Sequence, residues 1–191
     1  KNRSAVVGIT GFRYAVLEKD TEEGVSYGDI VRVPYVQNVS IETEQEIAKA
    51  YGDNTVAEMA VSTGVTTVEF QFHTIPLEDR IKLLGLEKDE DGMIVQKSQT
   101  NPPYVALMLE KTKGDGSVEL VGLTKGMFTL PTTEAQTKED SLEFGSDTIS
   151  GEFSARVFDD VAQVFMHTKR DEQEKIDAFM NKVFMNNPEG A

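Results

Sequence analysis

Carboxylates that could do chemistry stand at alternate positions, Glu42, Glu44 and Glu46, in the stretch NVSIETEQEIA. The positions between them are uncharged, and Ile41 and Ile47 fall on that opposite face. This alternation is typical of a strand with one buried face and one wet face. Carboxylates on one strand face lie about 6.6 Å apart and point the same way, whereas acid–base catalysis by a pair needs two that face each other. The row therefore indicates an ordinary solvated strand face, or the lining of something that must repel a polyanion.

Other patterns for chemistry are weak. His73 and His167 are the only histidines, and neither has a partner at metal-ligand spacing. Residues 89–92, DEDG, resemble the start of a calcium loop, but Thr100 stands where the twelfth-position glutamate is required. The chain has no cysteine, no phosphate-binding glycine motif and no nucleophile-elbow motif. We therefore expect no cofactor, no metal and no enzymatic activity.

The charge balance narrows the possible partners. The 191 residues include 33 acids and 19 bases, a formal net charge of −14. Such a surface repels nucleic acids and anionic membranes, so neither is expected to be gripped. No apolar run approaches the ~20 residues that span a bilayer, and the N-terminus lacks the apolar segment of a signal peptide. With no cysteine, this favours a soluble product of a reducing cytoplasm.

Short alternating segments predict a mainly β fold, with strands joined by hairpin-type turns. The predicted strands are 6–17, 31–36, 38–48, 55–61 (or a bend), 65–73, 103–111, 118–130 and 148–158, with 161–167 as a candidate extension of the last. Two helices are expected, at 76–84 with an apolar stripe of Leu77, Ile81 and Leu84, and at 171–185. Asp171 and Glu174 suggest a variant capping box for the second helix, whose apolar face covers either its own sheet or a neighbour. This predicts one domain, 1–191: an antiparallel β-sandwich or partial barrel with a flanking helix and a C-terminal helix.

Four stretches, taken in order, carry a family resemblance. They are VSIETEQEIAKAYGDN, GVTTVEFQFHTIPLEDRIKLLG, NPPYVALMLEKTKGDGSVELVGLTKGMFTLP and EAQTKEDSLEFGSDTISGEFSAR. Over roughly residues 6–157 this order and texture resemble the major tail proteins, or tail tube proteins, of long non-contractile-tailed bacteriophages. The resemblance implies the phage tail tube fold, in which hexameric rings stack into a tube. It also implies a place in the virion tail after assembly in the host cytoplasm. The partners would be other copies, the tape measure protein, and the tail terminator and distal tail proteins.

The resemblance gives the acidic strand a use. If each of six subunits gave about four strands, roughly 24 strands at ~4.8 Å spacing would form a barrel about 37 Å across between backbones, wide enough for a duplex with room for side chains. Carboxylates on that bore would let DNA pass without sticking. The hypothesis places these residues on the lumen: Glu42, Glu44, Glu46, Glu69 and Gln71.

Two polar segments, 18–29 and 132–146, are long loops or arms that suit contacts between subunits or rings, although mobile surface loops are the ordinary alternative. The candidate contact residues are Glu18, Asp20, Glu22, Glu23, Tyr27, Glu134, Lys138, Glu139 and Asp140. Two rival functions stay open: a monomeric β-sandwich binding or adhesion module, and a tube or hub component of another tail-like machine.

Overall fold

A computed structural model of the chain describes residues 4–52, 55–129 and 146–185, and in this part it contains eleven strands and two helices. The strands are β1 (Val6–Thr21), β2 (Gly24–Tyr27), β3 (Val31–Arg32), β4 (Val36–Gly52), β5 (Thr55–Phe72), β6 (Glu87–Lys88), β7 (Ile94–Val95), β8 (Val105–Lys113), β9 (Ser117–Thr129), β10 (Asp147–Ser154) and β11 (Gln163–Lys169). The helices are α1 (Leu77–Leu84) and α2 (Gln173–Phe184).

In the described part of the chain, nine strands form one antiparallel sheet with the main order β2-β1-β8-β9-β10-β5-β4. Strand β3 adds to β1, β11 adds to β9, and β6 with β7 makes a separate small ribbon. The sheet curls into a half-barrel, so the prediction of a mainly antiparallel partial barrel with two helices is confirmed.

Two hydrophobic cores lie on opposite faces of this sheet. The first fills the inside of the curl and includes Phe12, Phe70 and Phe128. The second lies between the sheet and α2 and includes Met108 and Phe179. All five residues of 105–109 are buried, because alternate side chains of β8 enter different cores. That explains why the sequence VALML is continuously apolar instead of alternating.

Helix α1 ends as predicted at Gly85, which has the left-handed φ of 65°. Its predicted apolar stripe is wrong at Leu77, which is 50% exposed, whereas Asp79 is buried. The Tyr14 hydroxyl donates a 2.7 Å hydrogen bond to the Asp79 carboxylate, and this contact fixes which face of the helix turns inward. Burial, with Asp79 adding to it, raises the pKa of Tyr14 well above its usual range.

Helix α2 buries its apolar face on its own sheet, which settles the alternative left open by the sequence. The predicted capping box does not form, because Glu172 is the N-cap and makes no side-chain cap hydrogen bond. A Cβ at Gly122 of β9 would overlap the Val183 side chain, so glycine at this position lets the helix lie close to the sheet.

The sheet forks along one edge of β9. Residues 117–123 pair with β11, and residues 125–129 pair with β10. Thr124 lies at the branch point, where its backbone N–H donates to the Ala162 carbonyl at 3.1 Å and its hydroxyl donates to Val161. The expectation that 161–167 extends the preceding strand is therefore wrong, because β10 ends at Ser154 and β11 is a separate strand.

Candidate assembly surfaces

An acidic face runs across β4, β5 and β10. Cross-strand register places Thr67 between Glu42 and Glu152 in one row, and Glu69 between Ser40 and Ser150 in the next row on this face. The three glutamates of these rows are exposed. The other face of the same strands carries buried Val68, Phe70 and Phe72, which are the alternate apolar positions of the predicted strand 65–73.

Of the predicted lumen residues, Glu42, Glu44, Glu46 and Glu69 are exposed, and Gln71 is half-buried with its amide donating to the Ser146 hydroxyl at 2.8 Å. The structure adds Glu152 to the acidic face. Its outward orientation was predictable from alternation, but its position in one row with Glu42, across Thr67, depends on strand order, which a single sequence does not give.

Beyond this face the β4–β5 hairpin projects as an arm, defined here as residues 44–52 and 55–65. The pairing of β5 with β10 stops at Thr66, so the arm has no third strand among the described residues. Every side chain described in 44–51 and 58–65 is exposed. The sequence predicted only a short strand or bend at 55–61, whereas β5 runs unbroken to Phe72.

The arm has two unlike faces. One carries an apolar strip of Ile47, Tyr51, Met59 and Val61, which are 62%, 70%, 65% and 60% exposed. Ile47 pairs directly with Val61, so these side chains are neighbours on one face. The strip continues the odd-numbered positions of β4 that reach the first core at Val39 and Ile41, but here nothing in the described chain covers it.

The other face of the arm is acidic and small. Glu46 pairs with Ser62, Ala48 with Ala60, and Ala50 with Glu58. This face continues the row of carboxylates that begins at Glu42. The arm is therefore an amphipathic two-stranded ribbon with both of its faces in water.

Gln163 anchors the base of the arm to the body. Its amide donates to the Thr43 and Thr66 hydroxyls at 2.8 and 2.7 Å, and those two hydroxyls lie 2.9 Å apart. The register shifts immediately beyond this point, so that Gly64 and Val65 together oppose Glu44. A bulge of this kind increases the local twist and sets the direction in which the arm leaves the sheet.

The first predicted contact segment, 18–29, expected as a long hairpin loop or arm, contains a hairpin in which the end of β1 pairs with β2. Glu18, Glu22 and Glu23 are exposed at or near its tip. Asp20 and Tyr27 are half-buried and make hydrogen bonds within the chain, and their role as inter-subunit contacts stays a prediction.

Asp20 accepts hydrogen bonds from the Lys125 ammonium at 2.7 Å and from the backbone N–H groups of Val157 and Phe158. Burial opposes ionisation of Asp20, but Lys125 and these N–H groups outweigh it and lower the carboxyl pKa. Tyr27 donates to the Thr124 carbonyl at 2.7 Å. The second predicted contact segment carries Glu134, Lys138, Glu139 and Asp140, which lie outside the described residues.

Alternation in the predicted strand 148–158 puts Arg156 on the polar face with Glu152, but the structure buries it. It is 1% exposed, and its guanidinium donates to the carbonyls of Lys182 and Val183, each at 2.9 Å. It also forms a two-point ion pair with Asp159 at 2.7 and 2.9 Å, which holds the pKa of that carboxyl below its ordinary value. A cation at these carbonyls satisfies the C-terminal end of α2 and its dipole.

Within the described residues, no group of three or more His, Asp or Glu side chains could hold a metal ion. Neither described helix is long and apolar enough to cross a membrane.

A curled antiparallel half-barrel with a projecting amphipathic hairpin is an architecture suited to structural subunits that assemble through their strands. The phage tail tube protein family matches residues 37–189, so the chain belongs to that family, as the resemblance implied. Membership makes it a structural component of a phage tail.

Two solved structures show a similar fold. One is a chain of the anti-feeding prophage cap, the tube terminating cap, at 12% identity, with 87% of this chain and 93% of that chain covered and a TM-score of 0.45. The other is a chain of the 6-fold symmetrised anti-feeding prophage baseplate, at 9% identity, with 90% and 99% covered and a TM-score of 0.45. A search of the curated proteins found no match.

Proposed function

We propose that this chain is the tail tube subunit itself, which assembles into stacked hexameric rings around a lumen that conducts DNA. The observation that carries this proposal is the arm, whose apolar strip is exposed along its whole length. A contiguous exposed apolar surface rimmed by charge is typical of a protein–protein interface. In a tube, the strip of each subunit would be covered by another copy.

Unpaired strand edges support the same conclusion. Strand β4 is 17 residues long, and in the described part of the chain it pairs with β5 alone. A long free edge is a template for pairing with another chain. Closure of six subunits into a ring hides such edges in a continuous barrel, with the tape measure protein inside during assembly.

In this arrangement the acidic face lines the bore. Glu42, Glu44, Glu46, Glu69 and Gln71, joined by Glu152, would then repel the phosphates of passing DNA. The tail terminator and distal tail proteins would cap the two ends of the tube. Glu18, Glu22 and Glu23, with the predicted residues of 132–146, stay candidates for contacts between rings.

Charge on the apolar strip tests self-assembly. The double variant Ile47→Asp, Val61→Asp should stay folded and monomeric, whereas wild type forms rings or tubes visible by electron microscopy. The matched control is Met93→Asp, Val95→Asp, which adds the same charges at exposed apolar positions of β7 and its approach. Tubes of normal length from the arm variant would contradict the proposal.

Charge reversal on the acidic face tests the lumen. Phage carrying Glu42→Lys, Glu44→Lys and Glu46→Lys should build tails but eject DNA slowly, and ejection should recover as salt screens the new attraction. The control reverses Glu87, Glu90 and Asp91, which are exposed around the β6–β7 ribbon. If the triple variant ejects DNA at the wild-type rate, the acidic face does not line the lumen. The proposal that the chain forms a tube would then still stand.

A further inference from the structure

A groove runs between the first half of β1 and the segment that joins β3 to β4. It is lined by residues 9–11 of β1 and by residues 32–36, and its volume is about 690 Å³. This volume falls within the range of about 300–1,000 Å³ that is common for binding sites. One wall of the groove is therefore a β-strand, and the other is an irregular segment that carries the cation Arg32.

Strand β1 has a free edge along this groove, over residues 6–11. On the side opposite to β8, strand β3 pairs with β1 only at Arg13 and Tyr14, and one further hydrogen bond joins the Val33 N–H to the Phe12 carbonyl at 3.1 Å. No strand of the described chain pairs with 6–11 on that side. Natural proteins usually guard such an edge with charged residues or proline, but the sequence VVGITG carries neither. The free edge is therefore open to a strand from another molecule.

A strand added at the free edge would continue the line of β3. Gly11, with a left-handed φ of 67°, lies in a bulge between Thr10 and Arg13, where the pairing of β1 with β8 shifts register. Strand β3 leaves β1 at this bulge, so its place beside 6–11 is vacant within the described chain. The near end of an added strand would lie beside Arg32, which lines the same groove.

Arg32 gives this end of the groove a positive charge. It is exposed, and it makes no hydrogen bond or ion pair with a described residue. It lies directly opposite Arg13 on β1, and Arg13 is already paired with Glu110 at 3.1 Å. Like charges directly opposite each other on two strands destabilise the pair. An anionic group from a ligand would relieve this repulsion at Arg32.

Tyr35 presents its ring at the groove on a strained backbone. It has a left-handed φ of 62°, which is uncommon for a bulky side chain, and it is 73% exposed. A 3.0 Å hydrogen bond from the His73 N–H to the Tyr35 carbonyl holds this backbone in place. Glycine or asparagine would adopt the same φ at a lower cost. A strained residue whose ring stays in water points to a functional constraint.

We propose that the groove binds an extended acidic segment of a partner protein, which adds to β1 as a further strand. The backbone of the segment pairs with the free edge, one of its side chains packs on the Tyr35 ring, and a carboxylate lies at Arg32. In contacts of this type the backbone pairing gives affinity and the side chains give specificity. The site lies outside both the arm and the acidic face, and it does not depend on whether the chain forms tubes.

Peptide binding to the full-length chain at physiological salt tests this site. The probe is a fluorescent, capped six-residue peptide of alternating valine and threonine with a glutamate at each end, and the control peptide has lysines in place of the glutamates. In anisotropy titrations the glutamate peptide should bind at least about tenfold more tightly, because its carboxylate meets Arg32. The net charge of −14 alone would favour the lysine peptide, so the two explanations predict opposite orders.

Hydrogen exchange gives an independent measurement of strand addition. The backbone amides of 6–11 should exchange more slowly when the glutamate peptide is bound, since the added strand covers the free edge. A peptide held by charge alone would leave their exchange unchanged.

Variants separate the site from the fold. Arg32→Glu should weaken binding of the glutamate peptide about tenfold, whereas Arg32→Lys should keep most of the affinity. Tyr35→Asn should also weaken binding, but its thermal unfolding midpoint should stay the same or rise, because asparagine accepts the left-handed φ more readily. Arg170→Glu is the matched control, since it makes the same charge change at an exposed arginine that does not line the groove.

The outcomes decide the proposal. Equal or tighter binding of the lysine peptide, unchanged exchange at 6–11, or no binding of the glutamate peptide up to about 1 mM overturns it. Loss of self-association in Arg32→Glu without peptide binding by wild type also overturns it, because the groove would then belong to a second copy. Preference for the glutamate peptide, lost in Arg32→Glu and accompanied by slower exchange at 6–11, supports it. Failure of the wild type to form rings or tubes would overturn only the proposed function.

Discussion

Two parts of one sheet follow the same alternating pattern and end in opposite environments. On β5, Val68 is fully buried in the first core, whereas Val61 on the arm is 60% exposed. In the body, α2 or the curl of the sheet covers each apolar face, but the described chain offers nothing to cover the arm. Alternation in the sequence therefore shows which face of a strand is apolar. It does not show whether that face is covered by the same chain or by another chain. Body substitutions should cost folding stability, and arm substitutions should cost assembly.

The largest loss of stability is expected from Arg156→Ala. The change leaves two carbonyls of α2 and the Asp159 carboxylate without their donor, at a cost of about 3 kcal/mol. Urea unfolding followed by circular dichroism measures this cost, and hydrogen exchange should show α2 opening first. Arg170→Ala is the control, because Arg170 is exposed and its bond to Thr112 is long at 3.4 Å. A similar urea midpoint for Arg156→Ala and wild type would mean that α2 is held by its apolar face alone.

Gly122→Ala should come next. The added methyl group would meet Val183 and would lie 3.3 Å from the Phe179 ring, so the helix must move outward at a cost of about 1–3 kcal/mol. Gly8→Ala is the matched control on β1, since nothing lies within 4 Å of its Cβ position. Equal thermal unfolding midpoints for the two variants would show that α2 does not pack closely against Gly122.

Strand β5 runs through both the body and the arm, so the same substitution, Val→Thr, can be compared in the two regions. Val68→Thr buries a hydroxyl in the first core and should cost about 1–3 kcal/mol. Val61→Thr, measured on dilute monomer, should change the free energy of unfolding by no more than about 0.5 kcal/mol. A large loss at Val61 would show that the arm is covered by its own chain in solution.

The effect of Asp159→Asn should depend on pH. The hydrogen bonds from Arg156 lower the pKa of Asp159 in the folded state below its ordinary 3.8. The folded chain then binds fewer protons than the unfolded chain, so this stabilisation is present above that value and is lost as pH falls through the folded pKa. Urea midpoints measured from neutral pH down to acid should therefore fall less steeply below about pH 4 for Asp159→Asn than for wild type. If the urea midpoints of Asp159→Asn and wild type fall equally steeply below pH 4, Asp159 does not contribute to the pH dependence of stability.

Much of the fold was predictable because its signals are local. Alternation in 65–73 gave the buried face of Val68, Phe70 and Phe72, and Gly85 gave the end of α1. The acidic face was predictable for the same reason. It follows from the glutamates of one strand, whatever lies beside them.

The errors occur where distant parts of the chain meet. The inward turn of Asp79 depends on Tyr14, and the burial of Arg156 depends on the carbonyls at the end of α2. Asp20 looked like part of a polar loop because its partners, Lys125 and the 157–158 backbone, are more than 100 residues away. No single-sequence pattern encodes such pairings. The arm was underestimated at 55–61 because the bulge at Gly64 and Val65 moves the apolar positions of β5 from even numbers, as in Val68, to odd numbers, as in Val61.

The fork of the sheet at Thr124 decides how tension would cross the molecule. The described arm is joined to the sheet only at its base, where the Gln163 side chain of β11 holds Thr43 and Thr66, so little of a force applied to the arm passes into β11. The force enters the body through β5. This strand pairs with β10 over seven residues, from Thr66 to Phe72, and the hydrogen bonds of these pairs are perpendicular to a force along β5. Because these hydrogen bonds are perpendicular to the strands, the force loads them in shear and all at once, so that they do not break one after another. The pairing of β5 with β10 should therefore break in one step when the subunit is pulled. The backbone amides of β10 should lose their protection from hydrogen exchange before those of α2.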